Sequence, residues 1–328
     1  MRSTTRIMNS TRLGRPGAAT ALCPVSAAFA ALLSLVLSAC IGELDTASSV
    51  HDLRVLALRA DPPECYLGRD EPKFRLTALV ADVEDGLLVD APRHYRVSTC
   101  PAPEDSRCEG LDGEIVLGEG SFSGEEFAIE FAFTEAHAPL LEAALRADTY
   151  LGFGGLPVLL SVKVWRGDSV EYAAKRLVLQ LPGLSIEGEP ANDNPPAPRL
   201  VVDGAPLAEG EVIEIAGREL SIDVTPEARE AKPSYRVPTF SGGALTLNES
   251  WTYAWLTTRG AYAPETTGGL NPVSQADLSA ETTLELDASD APGDFTSWVV
   301  LRDGRSGVSW TRFSGRFVEV SPEEGAAP

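Results

Sequence analysis

The side chains that most often carry out catalysis are scattered along this sequence. His51, His94 and His137 stand far apart, and none belongs to a His-Glu-x-x-His pattern. A serine-hydrolase elbow needs Gly-x-Ser-x-Gly, whereas residues 120–124 read Gly-Ser-Phe-Ser-Gly. Residues 152–155, Gly-Phe-Gly-Gly, are not followed by the helix and lysine of a phosphate-binding loop. We therefore identify no catalytic residue and no cofactor site, and we expect that the protein is not an enzyme.

One group of residues has the chemistry of a metal site. Asn192, Asp193 and Asn194 resemble the Asn-Asp-Asn junction of cadherin repeats, where oxygen ligands hold calcium between two domains. Pro190 stands where that pattern supplies a further Asp, and we find neither of its partner motifs, Asp-Arg-Glu and Asp-x-Asp. We favour a polar linker of turn-forming residues without a metal. A calcium-rigidified joint is the alternative.

The N-terminal region has the parts of an export signal and a lipid-attachment site. Four arginines and no acidic residue occupy the first fifteen positions, an apolar run fills residues 25–37, and Leu37-Ser38-Ala39-Cys40 ends the region. A run of about thirteen residues is too short for a membrane-spanning helix, which needs roughly 20. This pattern resembles the bacterial lipoprotein signal. The resemblance implies a signal peptide over residues 1–39, diacylglycerol on Cys40 and a tether through residue 52.

Export and charge set the expected location and partners. Ile41 follows the cysteine where inner-membrane retention usually needs aspartate, so we expect a cell-envelope protein held in the outer membrane by its N-terminal lipid. Such an anchor is stable because each buried methylene contributes about 0.8 kcal/mol. The 328 residues carry 27 Lys and Arg against 48 Asp and Glu, a net charge of -21. This charge repels phosphate and argues against a nucleic-acid partner.

Three cysteines remain after Cys23 leaves with the signal peptide and Cys40 is lipidated. In an oxidising compartment, Cys100 and Cys108 flank a short polar loop that a disulfide would close. Such a bridge stabilises the fold by roughly 2 to 3 kcal/mol. We predict this pair. A bridge from Cys65 to either of the two is the alternative.

Alternating apolar and polar residues predict a mainly β protein. Between these strands, Thr134 is placed to cap one short helix over residues 135–148. A Pro- and Asn-rich segment at residues 182–198 reads as a stiff linker between two domains, at 53–181 and 199–320, and residues 321–328 form a disordered tail. The clearest strand patterns are Phe74-Leu76-Ala78-Val80, Phe127-Ile129-Phe131-Phe133, Val158-Leu160-Val162-Val164 and Leu220-Ile222-Val224.

A weak internal repeat supports two similar domains. Residues 95–100 fall early in the first domain as residues 253–258 do in the second, and each domain ends in a hairpin, one of them around Asp303-Gly304. About 120 residues per unit with a terminal hairpin fit an immunoglobulin-like, Greek-key β-sandwich. The sequences at residues 54–63 and 76–82, near the start of the first domain, are also similar to those of a known family. In these features the chain resembles the two-domain immunoglobulin-like lipoproteins of myxobacteria. That resemblance implies fold and location and no settled activity.

The densest aromatic stretch of the sequence could form either an exposed binding surface or part of the hydrophobic core. Trp251, Tyr253 and Trp255 share one face of a predicted strand, with Tyr262 close behind. We favour the core because large aromatic side chains are mostly buried. We therefore expect a lipid-anchored, non-enzymatic envelope protein that serves adhesion or binds a protein or glycan partner. An accessory subunit of an envelope complex is the alternative.

Overall fold

The computed structural model describes residues 47–68, 71–101, 107–225, 227, 232–271, 273–286 and 291–318. The predicted signal peptide, Cys40 and the tail at 321–328 lie outside the described residues. The described residues belong to one compact unit. No helix in the described part of the chain is long and apolar enough to cross a membrane.

The first sandwich consists of two sheets, ordered β1-β3-β8 and β2-β10-β9-β6-β7, with a small β4-β5 hairpin beside them. Helix α1 (Ala138–Ala147) follows a short 3-10 turn (Glu135–His137) and packs against β9, as the sequence predicts. Its strands are β1 (Arg54–Asp61), β2 (Glu64–Tyr66), β3 (Lys73–Ala81), β4 (Val83–Glu84), β5 (Leu87–Leu88), β6 (Arg93–Thr99), β7 (Ile115–Phe122), β8 (Glu126–Ala132), β9 (Leu156–Arg166) and β10 (Ser169–Gln180).

The second sandwich has sheets ordered β12-β11-β14-β20-β18 and β13-β22-β21-β17-β19, and a two-stranded ribbon, β15-β16. Its strands are β11 (Leu200–Val202), β12 (Ala205–Pro206), β13 (Val212–Ala216), β14 (Glu219–Val224), β15 (Ser234–Pro238), β16 (Ala244–Asn248), β17 (Thr252–Thr257), β18 (Ala261–Ala263), β19 (Thr266–Gly268), β20 (Thr282–Glu285), β21 (Asp294–Arg302) and β22 (Val308–Val318).

The two sandwiches repeat one topology, which confirms the predicted tandem immunoglobulin-like fold. In each, an early strand pairs in parallel with the last strand, β2 with β10 and β13 with β22. The last two strands form the hairpins β9-β10 and β21-β22, and β6 occupies in the first sandwich the place of β17 in the second. A strand that crosses from one sheet to the other and meets the last strand is typical of immunoglobulin-like sandwiches.

A third core joins the two sandwiches. The outer face of the β1-β3 sheet packs against the outer face of β17, β21 and β22, so four sheets stack in succession. Trp298 is fully buried in this interface, and its indole N–H donates to Glu125 Oε2 at 2.8 Å. Burial on both faces explains why β3 is covered at nearly every position from Phe74 onward. The buried members are Val50, Leu56, Ala57, Leu79, Ala81, Val83, Leu256, Trp298, Val300 and Val308.

The end of the predicted tether and the predicted linker both pack against the sandwiches. Ser49 forms a parallel bridge with Thr257, and the Val50 N–H donates to the Thr257 carbonyl at 2.8 Å. The end of the predicted tether therefore binds the second sandwich. In the linker, the Asn194 amide donates to the Ala60 carbonyl at 2.8 Å and accepts the Val308 N–H at 3.0 Å. The predicted linker at residues 182–198 thus contacts both sandwiches, because its asparagines lie in the seam between them.

Candidate binding sites at the domain junction

The turn between β21 and β22 reaches from the second sandwich onto the first. The buried carboxylate of Asp303 organises it: Oδ1 accepts the backbone N–H groups of Arg305 at 2.6 Å and Gly307 at 2.8 Å. Gly304 has a φ of +80°, as the Asp-Gly pair predicts, although the turn has five residues between its strands. A Cβ at Gly307 would lie 2.8 Å from Asp303 Cγ, so this position needs glycine.

The turn and the linker meet at the buried carboxylate of Glu64. Its Oε2 accepts the Asn192 backbone N–H at 2.5 Å and the Arg305 guanidinium at 2.9 Å, while its Oε1 accepts the Gln180 amide. The Arg305 guanidinium also lies 4.1 Å from the centre of the Tyr235 ring. One carboxylate thus connects the first sandwich, the linker, the turn and the ribbon. A buried charge is tolerated here because it is paired and hydrogen-bonded.

Lys175 lies beneath the same turn. It projects from β10 at the open edge of the first sandwich, is 5% exposed, and donates from Nζ to the Ser306 carbonyl. Burial lowers the pKa of this lysine to about 8, against a smaller raising effect of Asp303. Burial likewise raises the pKa values of Glu249 and Tyr235 on the other side of the turn. Three ionisable groups whose pKa values are perturbed by burial therefore lie around this turn.

Two cavities flank this turn. One, of about 340 Å³, lies between residues 55–58 of β1 and residues 173–176 of β10, with Arg302 and the turn at its side. The other, of about 190 Å³, is lined by Glu64, Tyr235 and Arg236 among others, and is bounded by the ribbon. Both lie between the sandwiches, where ligand sites often form. We name them the edge groove and the ribbon cavity.

An exposed apolar surface lies beside the ribbon cavity. Phe240 in the ribbon turn is 77% exposed, and its ring lies 4.5 Å from Phe153 and 5.8 Å from Tyr150 of the first sandwich. Leu151 is 63% exposed and has a φ of +53°, which a bulky residue rarely adopts. Leu245 on β16 is also exposed. We call these five side chains the ribbon surface.

Two of the three calcium candidates have protein partners. The Asn192 amide donates to Asp303 Oδ2 at 2.7 Å and to the Arg305 carbonyl at 3.2 Å, and Asn194 uses both ends of its amide to bind the two sandwiches. Asp193 is exposed. The two asparagines thus hydrogen-bond within the joint between the sandwiches. Elsewhere in the described chain, no three His, Cys, Asp or Glu side chains are grouped as a metal would need.

The remaining predictions about individual residues can be compared with the structure directly. The Cys100–Cys108 disulfide is confirmed, and Cys65 is buried in the first core. Trp251, Tyr253 and Trp255 are buried, as favoured, in the second core.

The three histidines lie on separate elements. His51 precedes β1, His94 stacks on Trp165, and His137 Nδ1 accepts the Thr134 backbone N–H. The structure does not bring them together into one site.

Sequence reasoning missed Glu64, Lys175 and Arg305. These residues are separated by more than 100 positions in sequence and meet only because the terminal hairpin crosses the domain seam. A buried strand containing a lysine, Lys175 among the apolar residues of β10, is the one local signal that pointed there.

Comparisons with known proteins add little. No protein-family model and no curated protein matches the chain. Among solved structures, red sea bream transglutaminase aligns over 81% of this chain at 9% identity and a TM-score of 0.20, and the chain spans 31% of it. A chimeric titin Z1Z2 tandem aligns over 82% of this chain and 100% of its own length, at 10% identity and a TM-score of 0.21. Drosophila OTK extracellular domains 3–5 align over 84% of this chain and 99% of their own length, at 8% identity and a TM-score of 0.22. Superpositions this poor carry no argument about function.

Proposed function

We propose that this chain is a lipid-anchored, non-enzymatic protein of the cell envelope that binds a protein partner through the ribbon surface. The observation that carries the binding role is the exposure of Phe240, Tyr150, Leu151 and Leu245 together at one end of a folded module. Exposed aromatic and leucine side chains in one area are typical of protein interfaces. In the two-stranded ribbon, β16 has no further strand on its outer side, whereas on β15 the Arg236 backbone N–H already donates to Glu189 Oε1 at 2.8 Å.

The position of the ribbon surface suits a protein held by its N-terminus. Residues 47–50 lie beside Thr257, at one end of β17, whereas the ribbon joins the chain next to Thr252, at the other end. A six-residue strand separates these points by about 17 to 20 Å. A chain anchored before residue 47 therefore enters the module at the end of β17 opposite to the ribbon.

The experiment is site-specific photo-cross-linking in intact cells. A photoreactive residue at Phe240 or Leu245 is expected to capture one defined protein. The same residue at Glu285, an exposed position beside Gly260 near the tether, serves as the control and is expected to capture nothing comparable. Equal capture at both ends, or none at the ribbon, would contradict the proposal.

The same experiment separates the alternatives. A stoichiometric partner that co-purifies with a membrane complex identifies an accessory subunit, whereas capture that depends on contact with a neighbouring cell identifies an adhesin. Recovery on immobilised glycan with no protein cross-link would replace the protein partner with a carbohydrate.

A further inference from the structure

The edge groove lies between two strand edges of the first sandwich. Strand β1 is the outer strand of its sheet, and β10 pairs with β2 only over residues 178–180, so the earlier part of β10 has one free edge. Residues 55–58 and 173–176 from these edges form the two sides of the groove. The turn of the second sandwich closes one end through Ser306 and Gly307. The groove therefore exists only because the two sandwiches are docked.

The charges that line the edge groove are all positive. Lys175, Arg176 and Arg302 face it, and no Asp or Glu is among the described residues that line it. This is unusual in a chain with 48 acidic against 27 basic residues. Arg176 and Arg302 are exposed, and neither has an ion-pair or side-chain hydrogen-bond partner among the described residues.

Three other arginines near the seam are paired with carboxylates: Arg166 binds Asp82 at 2.6 Å, Arg305 binds Glu64 at 2.9 Å and Arg312 binds Glu125 at 2.9 Å. Arg59 instead stacks on Trp310, with its guanidinium 4.9 Å from the ring centre. Arg176 and Arg302 have neither kind of partner among the described residues. Two guanidinium groups with an ammonium group beside them form a receptor for a planar carboxylate or a phosphate.

Apart from the three basic residues and the turn residues Gly304, Ser306 and Gly307, the lining is aliphatic. Val55, Ala57, Ala173, Ala174 and Val308 contribute to it, and the volume of about 340 Å³ lies at the small end of the range of ligand sites. A purely inorganic ion would leave this apolar lining in contact with water. The lining suits a ligand with a small hydrocarbon body and one charged head.

We propose that the edge groove binds a small amphiphilic organic anion, whose carboxylate or phosphate head contacts Arg176 and Arg302 and whose apolar body lies against Ala173, Ala174 and Val308. This site differs from the ribbon surface, so either proposal can fail without the other. Lys175 lines the same groove, and its charge interacts with that of Arg302. The groups facing its ammonium are Arg302, Asp303 and the Ser306 carbonyl.

Binding of an anion beside Lys175 should change its protonation. The pKa of this lysine is lowered to about 8 by burial, and a neighbouring negative charge raises it again. Above about pH 8, ligand binding must therefore take up protons. This uptake gives a readout that non-specific attraction to surface arginines would not produce.

The test uses the full chain in nanodiscs and isothermal titration calorimetry with hexanoate, phenyl phosphate and uncharged hexanamide. We expect both anions to bind and hexanamide to bind at least about tenfold more weakly, because it lacks the charge. The variant with Arg176→Gln and Arg302→Gln should lose roughly tenfold or more in affinity for both anions. The matched control is Arg199→Gln, which removes one exposed arginine outside the groove.

Several results would overturn the proposal. They are the absence of anion binding to the wild type, equal binding of hexanamide, or a loss in Arg199→Gln as large as that in the double variant. Preference between hexanoate and phenyl phosphate identifies the head group. Titrations at about pH 8.5 in buffers of different ionisation enthalpy should show proton uptake in the wild type and none in Lys175→Met. Equal proton uptake in both would remove Lys175 from the site.

Discussion

Replacing Lys175 with methionine should make the protein more stable. Methionine keeps the length and the apolar stem of lysine and removes the ammonium group, which is buried under the 303–307 turn. The pKa of Lys175 falls from 10.5 to about 8 on folding. At about 1.4 kcal/mol for each tenfold change in proton affinity, keeping this lysine charged costs the folded state roughly 3 kcal/mol.

Two effects set the net value at neutral pH. The substitution removes the cost of burying the charge, but it also leaves the Ser306 carbonyl without its donor, at a cost of about 1 kcal/mol. We expect the free energy of unfolding at neutral pH to rise by about 2 kcal/mol.

The pH dependence carries the sharper test. Below about pH 8 the lysine is protonated in both states, and the cost is fully present. Between about pH 8 and 10.5 the unfolded chain binds more protons than the folded chain, so the stability of the wild type rises with pH. Lys175→Met should lack this rise. Measurements should stop near pH 9.5, because burial raises the pKa of Tyr262, and this tyrosine lowers stability above about pH 10.

The assay is urea unfolding followed by tryptophan fluorescence at about pH 7 and 9.5. The matched control is Lys73→Met, where the lysine is exposed and paired only with exposed Glu71, so that stability should change by less than about 1 kcal/mol. Two results would contradict this prediction: a loss of stability in Lys175→Met at pH 7, or an equal gain of stability in the variant and the wild type between the two pH values.

Three further outcomes are expected. Gly307→Ala should lower the free energy of unfolding by about 1 to 3 kcal/mol, because the added Cβ contacts Asp303 and lies 2.9 Å from Pro195 Cδ. If the variant unfolds in urea with the stability of the wild type, the turn can shift to accommodate the methyl group and the prediction is wrong. Calcium in place of chelator should leave the melting midpoint unchanged, and a rise of several degrees that Asp193→Ala removes would instead establish a calcium joint. Cys40→Ser should stop incorporation of labelled palmitate and leave the precursor uncleaved, and continued labelling would exclude the lipoprotein assignment.

The sequence predicted the strands of each sandwich better than it predicted their packing. In β3, the period of two in Phe74, Leu76 and Ala78 identified the face that meets the first core. Leu79 and Ala81, on the opposite face of the same strand, are buried against the second sandwich. The unbroken apolar run at the end of β3 was the available signal, because a strand covered on both faces has no alternation.

The candidate sites were beyond local patterns for a different reason. Arg176 and Arg302 are ordinary exposed arginines in their own strands, and only the docking of the hairpin turn makes them neighbours of one groove. The Asp303-Gly304 pair predicted that turn correctly but not what it touches. Hydrophobic periodicity and turn-forming residues are local in sequence, so they describe one sandwich at a time. A site formed by residues of both sandwiches therefore leaves no recognisable pattern in the sequence of either sandwich.

The attachment of the tether to the second sandwich determines how the module carries mechanical load. In chain order the N-terminus belongs to the first sandwich, yet Ser49 and Val50 are bonded to Thr257 of the second. A pull exerted through the N-terminus therefore reaches β17 before it reaches β1. From β17 the force passes through the third core to the first sandwich over a broad area. We therefore expect the two sandwiches to bear tension together. The hydrogen bonds between residues 48–50 and Thr257 are the first contacts that we expect such a pull to break.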